Sequence, residues 1–412
     1  MSTITRTTAE ALDARDPLAG CRASFDLPSG VVYLDGNSLG ALPVTTPAAV
    51  AQVVADWGRD LIGSWNRHDW IGWPRRLGDR IAPLIGARPG EVIVADSTSV
   101  NVFKLLAAAL ALAPGRRVIL SDADNFPTDL HVAQGLARLL GGGVELRTVE
   151  TSALPQALGP DVAVLMLTHV NYRTGAMHDM AALTAAAHAA GALTLWDLSH
   201  SAGAMPLALA TAGVDFAVGC GYKFLNGGPG APAYAFVAER WLSRLQPALS
   251  GWMGHARPFD FTGVYAPSAG IERLLVGTPP VLSLAALDAG VAVLETVDLS
   301  LVRAKSVALG ALFRQLVAQE CGTYGLRLVS PPDPEQCGSQ ASYAHADGYA
   351  IVQALIAAGV VPDFRAPDVL RFGFAPLYVR HVDVFDAVRA LREVLTTRVW
   401  DQPRFRVRAL VT

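Results

Sequence analysis

The stretch EVIVADSTSVNVFKLLAAALALAPGRRVILSD, residues 91–122, decides the fold class of this chain. Its first part, EVIVADS, is a short apolar run that predicts a β-strand. The segment VNVFKLLAAALAL that follows is long and rich in alanine and leucine, which favours a helix. RVILSD is again short and apolar and predicts the next strand. The order strand, helix, strand indicates an α/β arrangement.

The same alternation continues toward the C-terminus. Helices are predicted over DLHVAQGLARLLGG, which closes on glycines, and over MAALTAAAHAAG. The further strand candidates are VELRTV, VAVLMLTHV and ALTLWDLSH. Because these strands are continuously apolar and separated by helices, they predict a parallel sheet that is covered on both faces.

Near residue 285 the pattern changes. A long helical pattern runs from LSLAALDAGVAVLETV through LVRAKSVALGALFRQLVAQ, and mixed patterns such as VLRFGFAP and VDVFDAVRALREVLTTRV follow it. This mixture predicts a smaller C-terminal α+β domain at 285–412, after a large domain at 51–284. Residues 1–50 are predicted to form an N-terminal segment that joins the small domain and the active site.

Composition and charge exclude several classes of protein. Of the 412 residues, 51% are hydrophobic and 17% charged, which indicates a large core. The formal net charge is −3 and no basic cluster is interleaved with aromatics, so nucleic acid is not an expected partner. The four cysteines show no CxxC spacing, which argues against a zinc site or a secreted disulfide framework and favours the reducing cytoplasm. Neither a signal peptide nor a membrane span is predicted.

Ligands of open α/β sheets bind beyond the carboxyl ends of the strands, so the residues at those positions are informative. Thr98 and Ser99 follow the first strand and offer hydroxyls and free amides at the start of a helix, which suits a phosphate. Ordinary N-capping explains this stretch equally well. After the next strand, Phe126 is an aromatic residue in a loop, with Asp129 as a polar companion or as the next helix cap.

Two further strands also end in polar residues. Thr168 opens a polar cluster after VAVLML, for which a surface turn around RTG is the alternative. Asp197 stands at the end of ALTLW, with His200 three residues later. A carboxylate there is costly to bury unless a cation or a donor meets it, and a helix cap is the alternative. Tyr222 and Lys223 then precede the glycines of GCGYKFLNGGPG, residues 219–230.

Two motifs of nucleotide-binding enzymes are missing from the sequence. It contains no GxxxxGK[ST] and no GxGxxG after a first strand. What remains is hydroxyls for a phosphate, an aromatic platform, a carboxylate and a lysine. This is the set that pyridoxal 5′-phosphate requires, because its phosphate must be anchored, its ring covered and protonated, and its aldehyde captured by an amine.

The chain resembles the fold-type I pyridoxal-phosphate enzymes, and among them the kynureninase family, from about residue 16 to the C-terminus. The resemblance is carried, in the family's order, by YLDGNSLG (33–40), DSTSVN (96–101), NFPTD (125–129), HVNYRTG (169–175), WDLSHSAG (196–203), GCGYKFLNGGPG (219–230) and GWMGH (251–255). The aspartate–lysine spacing alone is shared with relatives such as cysteine desulfurases. The resemblance implies a large domain with a mostly parallel seven-stranded sheet between helices, plus the smaller α+β domain.

The resemblance also implies roles for individual residues. Lys223 would form an imine with the cofactor, Asp197 would pair with its ring nitrogen, and Tyr222 would donate or accept a proton. The residues implied to bind the cofactor are Thr98, Ser99, Phe126, Asp129, Thr168, Asp197, His200, Tyr222, Lys223, Trp252 and Thr278. Trp252 and Thr278 would reach the site from the other subunit of a homodimer, and Thr278 stands where some members have asparagine.

For the substrate, Arg371 in LRFGFAPLY resembles the arginine that binds the α-carboxylate, and its planar fork suits that role. Trp65 and Ser38 would lie near the aromatic end, with core packing and a turn as their alternatives. Trp65 stands where animal members have histidine. The implied reaction is hydrolysis of L-kynurenine, or its 3-hydroxy form, to anthranilate or 3-hydroxyanthranilate and L-alanine, in tryptophan degradation.

Three other functions fit part of the pattern. A cysteine desulfurase or selenocysteine lyase would use a cysteine on a mobile loop, and neither Cys321 nor Cys337 has that setting in the sequence. An aminotransferase also uses a lysine and an aspartate, and a half-reaction with an oxo acid would identify it. A non-catalytic protein with this fold would be expected to lack Lys223 or Asp197, and both are present.

Overall fold

The computed structural model describes residues 3–408, which form two main sheets with helices packed around them. The helices are α1 (Arg6–Asp13), α2 (Thr46–Asp60), α3 (Ser64–Arg67), α4 (Trp73–Ile81), α5 (Thr98–Leu112), α6 (Pro127–Leu139), α7 (Leu154–Ala157), α8 (Met180–Ala189), α9 (Leu209–Ala212), α10 (Glu239–Leu242), α11 (Val281–Leu294), α12 (Leu299–Cys321), α13 (Gly348–Ala357), α14 (His381–Thr397) and α15 (Pro403–Arg406). The strands are β1 (Phe25–Asp26), β2 (Val32–Tyr33), β3 (Leu42–Pro43), β4 (Val92–Val94), β5 (Val118–Asp122), β6 (Glu145–Val149), β7 (Val162–Thr168), β8 (Leu193–Asp197), β9 (Phe216–Gly219), β10 (Tyr234–Val237), β11 (Arg327–Leu328), β12 (Gln340–Ala344), β13 (Val360–Val361), β14 (Asp363–Arg365) and β15 (Val369–Gly373).

The larger sheet has seven strands in the order β4-β10-β9-β8-β7-β5-β6. The pairs from β9 through β6 are parallel, and β10 runs antiparallel to both of its neighbours. Successive residues of β7 pack into different cores: Val164 joins one hydrophobic cluster and Leu165 joins the other. Because side chains alternate across a strand, the sheet is buried on both faces. The predicted α/β fold with a mostly parallel sheet is confirmed.

Local sequence explains where the helices that follow these strands begin. Ser97 caps α5, because its hydroxyl accepts a hydrogen bond from the backbone N–H of Val100 at 3.3 Å. Pro127 starts α6, at a position where a helix does not need a backbone N–H. Both helices therefore start at the carboxyl edge of the sheet.

The smaller sheet has four strands in the order β11-β12-β15-β14, and its pairs are antiparallel. In its register Arg371 of β15 lies opposite Asp363 of β14 on one side and Ser342 of β12 on the other. The N-terminal segment reaches this region through the parallel pairing of β2 with β13. The domain boundaries at residues 50 and 284 stay a prediction.

Between residues 3 and 408, no helix combines the length and the apolar character that crossing a membrane requires.

Candidate functional site

The chain has three lysines, and two of them are buried and pair with a carboxylate. Lys104 is 1% exposed and pairs with Asp96. Lys305 of α12 lies 2.7 Å from a carboxylate oxygen of Asp16. Lys223 forms no ion pair with a carboxylate of residues 3–408, so its amine is not committed to a structural ion pair.

The Lys223 amine lies among aromatic rings and an imidazole. Its Nζ is 3.0 Å from Nε2 of His200. The ring centroids of Phe126 and Tyr222 are each 5.9 Å from the same nitrogen. Burial, followed by the charge of Lys223, holds the pKa of His200 well below its usual range. His200 is therefore neutral, and Nε2 can accept a hydrogen bond from the amine.

Two neighbouring strands bring a hydroxyl and a carboxylate to this edge. Thr168 at the end of β7 and Asp197 at the end of β8 face each other in register. Asp197 is buried and accepts a hydrogen bond from the backbone N–H of Ser199 at 2.8 Å. Burial raises the pKa of Asp197, although the charge of Lys223 opposes this shift. A protonated ring nitrogen placed against Asp197 would relieve the cost of burying its charge.

The loop before α6 adds unused polar atoms. Oδ1 of Asn125 accepts a hydrogen bond from the backbone N–H of Thr168 at 2.7 Å. Nδ2 of Asn125 and Oδ2 of Asp129 are buried and have no hydrogen-bond partner among the described residues. Burial, and then the charge of Asp197, raises the pKa of Asp129 well above its usual range. Buried polar atoms without partners are rare in proteins, and here they fit a polar ligand.

The first turn of α5 supplies the hydroxyls. Because Ser97 is the capping residue, Thr98 and Ser99 keep their hydroxyls and first-turn amides for another partner. Asp96, which precedes this turn, adopts a left-handed φ of 49° and is held there by Lys104. The set of a phosphate anchor, an aromatic ring, a carboxylate and a free amine fits pyridoxal 5′-phosphate.

The GNSLG turn, residues 36–40, packs directly on the backbone of the lysine segment. The N–H of Gly40 donates to the carbonyl oxygen of Tyr222 at 2.8 Å. A Cβ at Gly40 would lie 2.3 Å from the carbonyl oxygen of Lys223, so only glycine fits. Burial raises the pKa of Tyr222 above its usual range, which keeps its hydroxyl protonated.

The same turn places Ser38 against Arg371. Arg371 is 1% exposed, and its Nη1 donates to the carbonyl oxygen of Tyr172 at 2.8 Å. Its Nη2 contacts the hydroxyl of Ser38 and the carboxylate of Asp363. Nε of Arg371 has no hydrogen-bond partner among residues 3–408 and remains free for a carboxylate.

The last three predicted residues share one cavity. Trp252, Thr278 and Trp65 line one apolar cavity of about 450 Å³. Trp65 also packs edge-on against Trp70, with 5.6 Å between ring centroids. The structure therefore brings Trp65 together with Trp252 and Thr278 and places Ser38 beside Arg371. No contact joins Trp65 and Ser38 among the described residues, and their place at the aromatic end of the substrate stays a prediction.

Sequence reasoning missed Asn125 and Asp363. Asn125 lies inside NFPTD, and its place directly after a strand is the signal that could have identified it. Asp363 follows a proline in a short strand, and the sequence holds no sign that it faces Arg371.

The fold is similar to that of solved pyridoxal-phosphate enzymes. A cysteine desulfurase from Thermococcus onnurineus NA1 aligns with a TM-score of 0.77 at 18% identity, covering 96% of this chain and 100% of that chain. The protein C-DES, solved with glycine covalently linked to its PLP cofactor, aligns with a TM-score of 0.77 at 17% identity, covering 90% and 98%. At these identities the likeness concerns the fold alone.

The sequence comparisons are more specific. Residues 302–391 match the model of the kynureninase C-terminal domain. A kynureninase of Deinococcus radiodurans is 57% identical over 392 residues, which cover 94% of this chain and 95% of that protein. A kynureninase of Pseudomonas fluorescens is 51% identical over 414 residues, which cover 99% of this chain and 100% of that protein. On this evidence the chain belongs to the kynureninase family.

Proposed function

We propose that this protein is a pyridoxal-phosphate-dependent hydrolase that cleaves the carbon–carbon bond of L-kynurenine, or of its 3-hydroxy form. Water adds at the γ-carbonyl carbon and the bond between the β- and γ-carbons breaks. The products are anthranilate, or 3-hydroxyanthranilate, and L-alanine, as expected for tryptophan degradation. The observation that carries this proposal is the Lys223 amine, free of any carboxylate ion pair in the described chain, in a chain more than half identical to a kynureninase.

Thr98 and Ser99 would bind the cofactor phosphate at the start of α5, and Phe126 would cover the ring. Asp197 would hold the proton on the ring nitrogen, because a buried carboxylate favours a cationic partner. When bound, the cofactor supplies an electron sink for the negative charge that develops at the substrate α-carbon. Oδ2 of Asp129 and Nδ2 of Asn125, which have no hydrogen-bond partner among the described residues, would form hydrogen bonds at the same site.

Lys223 would hold the cofactor, and its amine is the proposed base for the α-proton of the substrate. Neutral His200, 3.0 Å away, accepts a hydrogen bond from the amine and fixes its position. Tyr222 keeps its hydroxyl proton and is the proposed donor when the β-carbon is protonated.

Arg371 would bind the α-carboxylate of the substrate. Its guanidinium is buried and carries a free Nε–H, and Nη2 already contacts the hydroxyl of Ser38. A charge-assisted pair with a carboxylate is strong when it is shielded from water. This placement puts the carboxylate end of the substrate beside the GNSLG turn.

We further propose a homodimer with shared active sites. Trp57, Leu61 and Ile62 of one surface are 57%, 65% and 81% exposed. They line an apolar cavity of about 500 Å³, which shares Ile62 and Trp65 with the cavity that contains Trp252 and Thr278. Large contiguous apolar surfaces mark protein interfaces. A second copy seated here would bring Trp252 and Thr278 next to a partner's site.

A cytoplasmic location is proposed as well. The four cysteines, Cys21, Cys220, Cys321 and Cys337, are all free, as is usual in a reducing compartment.

The reaction is tested by mixing the purified protein with pyridoxal phosphate and L-kynurenine and measuring anthranilate fluorescence and L-alanine together. Equimolar products from wild type, and none from Lys223→Ala, are expected. Cofactor binding without anthranilate would reject kynurenine cleavage, and turnover of cysteine or of an oxo acid would then indicate a desulfurase or an aminotransferase.

A further inference from the structure

A second arginine stands beside Arg371 on the same face of the smaller sheet. Arg365 and Asp363 are two residues apart on β14, and Asp363 pairs in register with Arg371 on β15. Because alternate residues of a strand share a face, all three side chains project from one side of the sheet.

These side chains contact one another through shared partners. Nε of Arg365 lies 2.8 Å from Oδ2 of Asp363, and the same oxygen contacts Nη2 of Arg371. Nη2 of Arg365 also donates to the hydroxyl of Ser38 at 3.3 Å. Ser38 and Asp363 therefore each bind both arginines.

The two arginines differ in their access to solvent. The side chain of Arg365 is 36% exposed, whereas that of Arg371 is 1% exposed. Both guanidinium groups contact the hydroxyl of Ser38 in the GNSLG turn, and Gly40 of that turn donates to the carbonyl oxygen of Tyr222, next to Lys223. Arg365 consequently lies on the solvent side of the proposed carboxylate subsite.

The charges of the cluster cancel when all its members are ionised. Arg365 and Arg371 are balanced by Asp363 and by Asp35, whose Oδ1 is 3.7 Å from Nη2 of Arg371. Asp363 competes with any incoming carboxylate for Arg371, because both need the same guanidinium. Because Arg365 also pairs with Asp363, it neutralises part of the negative charge of that carboxylate. Asp363 therefore competes less strongly with the substrate carboxylate for Arg371.

We propose that Arg365 is a positioning residue for the substrate carboxylate: by pairing with Asp363 and Ser38 it keeps Arg371 available to the substrate. This inference rests on the proposed function only in assigning the carboxylate to Arg371. Arg365 acts through Asp363 and Ser38. Its effect on substrate binding therefore depends on the charge balance of the cluster more than on its own contact with the substrate.

The test measures binding of L-alanine, which carries the carboxylate but no aromatic end, to the holoenzyme by the change in cofactor absorbance. Arg365→Gln leaves the cluster with a net charge of −1, and its Kd for L-alanine should rise roughly tenfold, as expected for one partly screened charge. The KM for kynurenine should rise by a similar factor while kcat changes little, because the interaction holds the substrate before and during the reaction.

Two double variants separate charge from structure. Arg365→Gln with Asp363→Asn, and Arg365→Gln with Asp35→Asn, each restore a neutral cluster and should return Kd to within about threefold of wild type. The second pair keeps the test valid if the buried Asp363 cannot be changed without unfolding. Arg327→Gln is the matched control, because Arg327 belongs to the same sheet, is 71% exposed and pairs with Asp368. It should leave Kd unchanged.

An unchanged Kd in Arg365→Gln would overturn the inference, and so would double variants that bind as weakly as the single one. A wild-type protein that binds L-alanine but forms no anthranilate would instead reject the proposed reaction, which leaves the two conclusions separately testable.

Discussion

At the scale of single residues, burial sets the chemistry of the site. Lys223 and His200 lie 3.0 Å apart, and the depressed pKa of His200 keeps the imidazole neutral beside the amine. Asp197 and Asp129 have raised pKa values, with burial as the largest cause. Residues whose pKa values are strongly shifted cluster at functional sites, and this agrees with the proposed active site around Lys223.

Asp35 provides a pH-dependent prediction for substrate binding. Burial, and then the charge of Asp363, raises its pKa to about 6, while Arg371 and Arg365 oppose the shift. Above pH 6 the Asp35 carboxylate is ionised, and its negative charge weakens the binding of a substrate carboxylate at Arg371. As the pH falls through 6, Asp35 takes up a proton and this repulsion of the substrate carboxylate is lost. Asp35→Asn should therefore bind L-alanine roughly tenfold more tightly than wild type at pH 8.

The measurement is the ratio of the Kd values of wild type and Asp35→Asn between pH 5 and pH 8. The ratio cancels the titration of the ligand amine, which is common to both proteins, and it should approach one at pH 5. A ratio that does not vary with pH would contradict the assignment. Tyr33 and Tyr378 also face Asp35, but burial raises both of their pKa values above the usual range, so they stay neutral throughout.

At the scale of elements, Lys104 connects stability with cofactor binding. Its Nζ donates to the carbonyl oxygen of Leu274 at 2.6 Å and pairs with Asp96, directly before the turn that carries Thr98 and Ser99. Lys104→Met should lower the free energy of unfolding by about 2 kcal/mol, because the carbonyl of Leu274 loses its buried donor, whereas Asp96 is exposed and can be hydrated. It should also weaken retention of pyridoxal phosphate.

Lys305→Met is the matched control for this variant. It removes the other buried lysine from its ion pair with Asp16, which lies in the N-terminal segment and not at α5. Urea unfolding should show both variants destabilised, whereas gel filtration with cofactor absorbance should show loss of pyridoxal phosphate only for Lys104→Met. Equal retention of pyridoxal phosphate by the two variants would contradict the proposed role of Lys104 at the phosphate site.

The regular elements of the larger sheet were predictable, because apolar runs and alanine-rich helices alternate from β4 to β8. The antiparallel strand β10 was not, since YAFV is only four residues long and follows a glycine-rich loop. The strand-end positions of Thr168 and Asp197 could be predicted from the sequence, because each follows an apolar run. The pairing of Asp363 with Arg371 could not, because it depends on the register of two short strands.

At the scale of the whole molecule, the exposed apolar surface around α2 predicts dimerisation. Ile62 is 81% exposed and lines both apolar cavities. Ile62→Asp would place a charge in the proposed interface, and burying an unpaired charge is unfavourable. This variant should shift the protein toward monomers in light scattering coupled to gel filtration and should lose activity in parallel.

Leu139→Asp is the control for the interface prediction. Leu139 is 71% exposed at the end of α6 and lines neither of these cavities. It should leave both the molecular mass and the activity unchanged. A wild-type protein that is monomeric and fully active would contradict the shared site.

The central claim, that Lys223 holds the cofactor, is tested most directly by reducing the holoenzyme with borohydride and locating the pyridoxyl label by peptide mass spectrometry. The chain's other two lysines, Lys104 and Lys305, serve as internal controls. The account predicts one label per chain, on the peptide that contains Lys223, and its loss when the reduction follows removal of the cofactor. A label on Lys104 or Lys305, or no label at all, would contradict it.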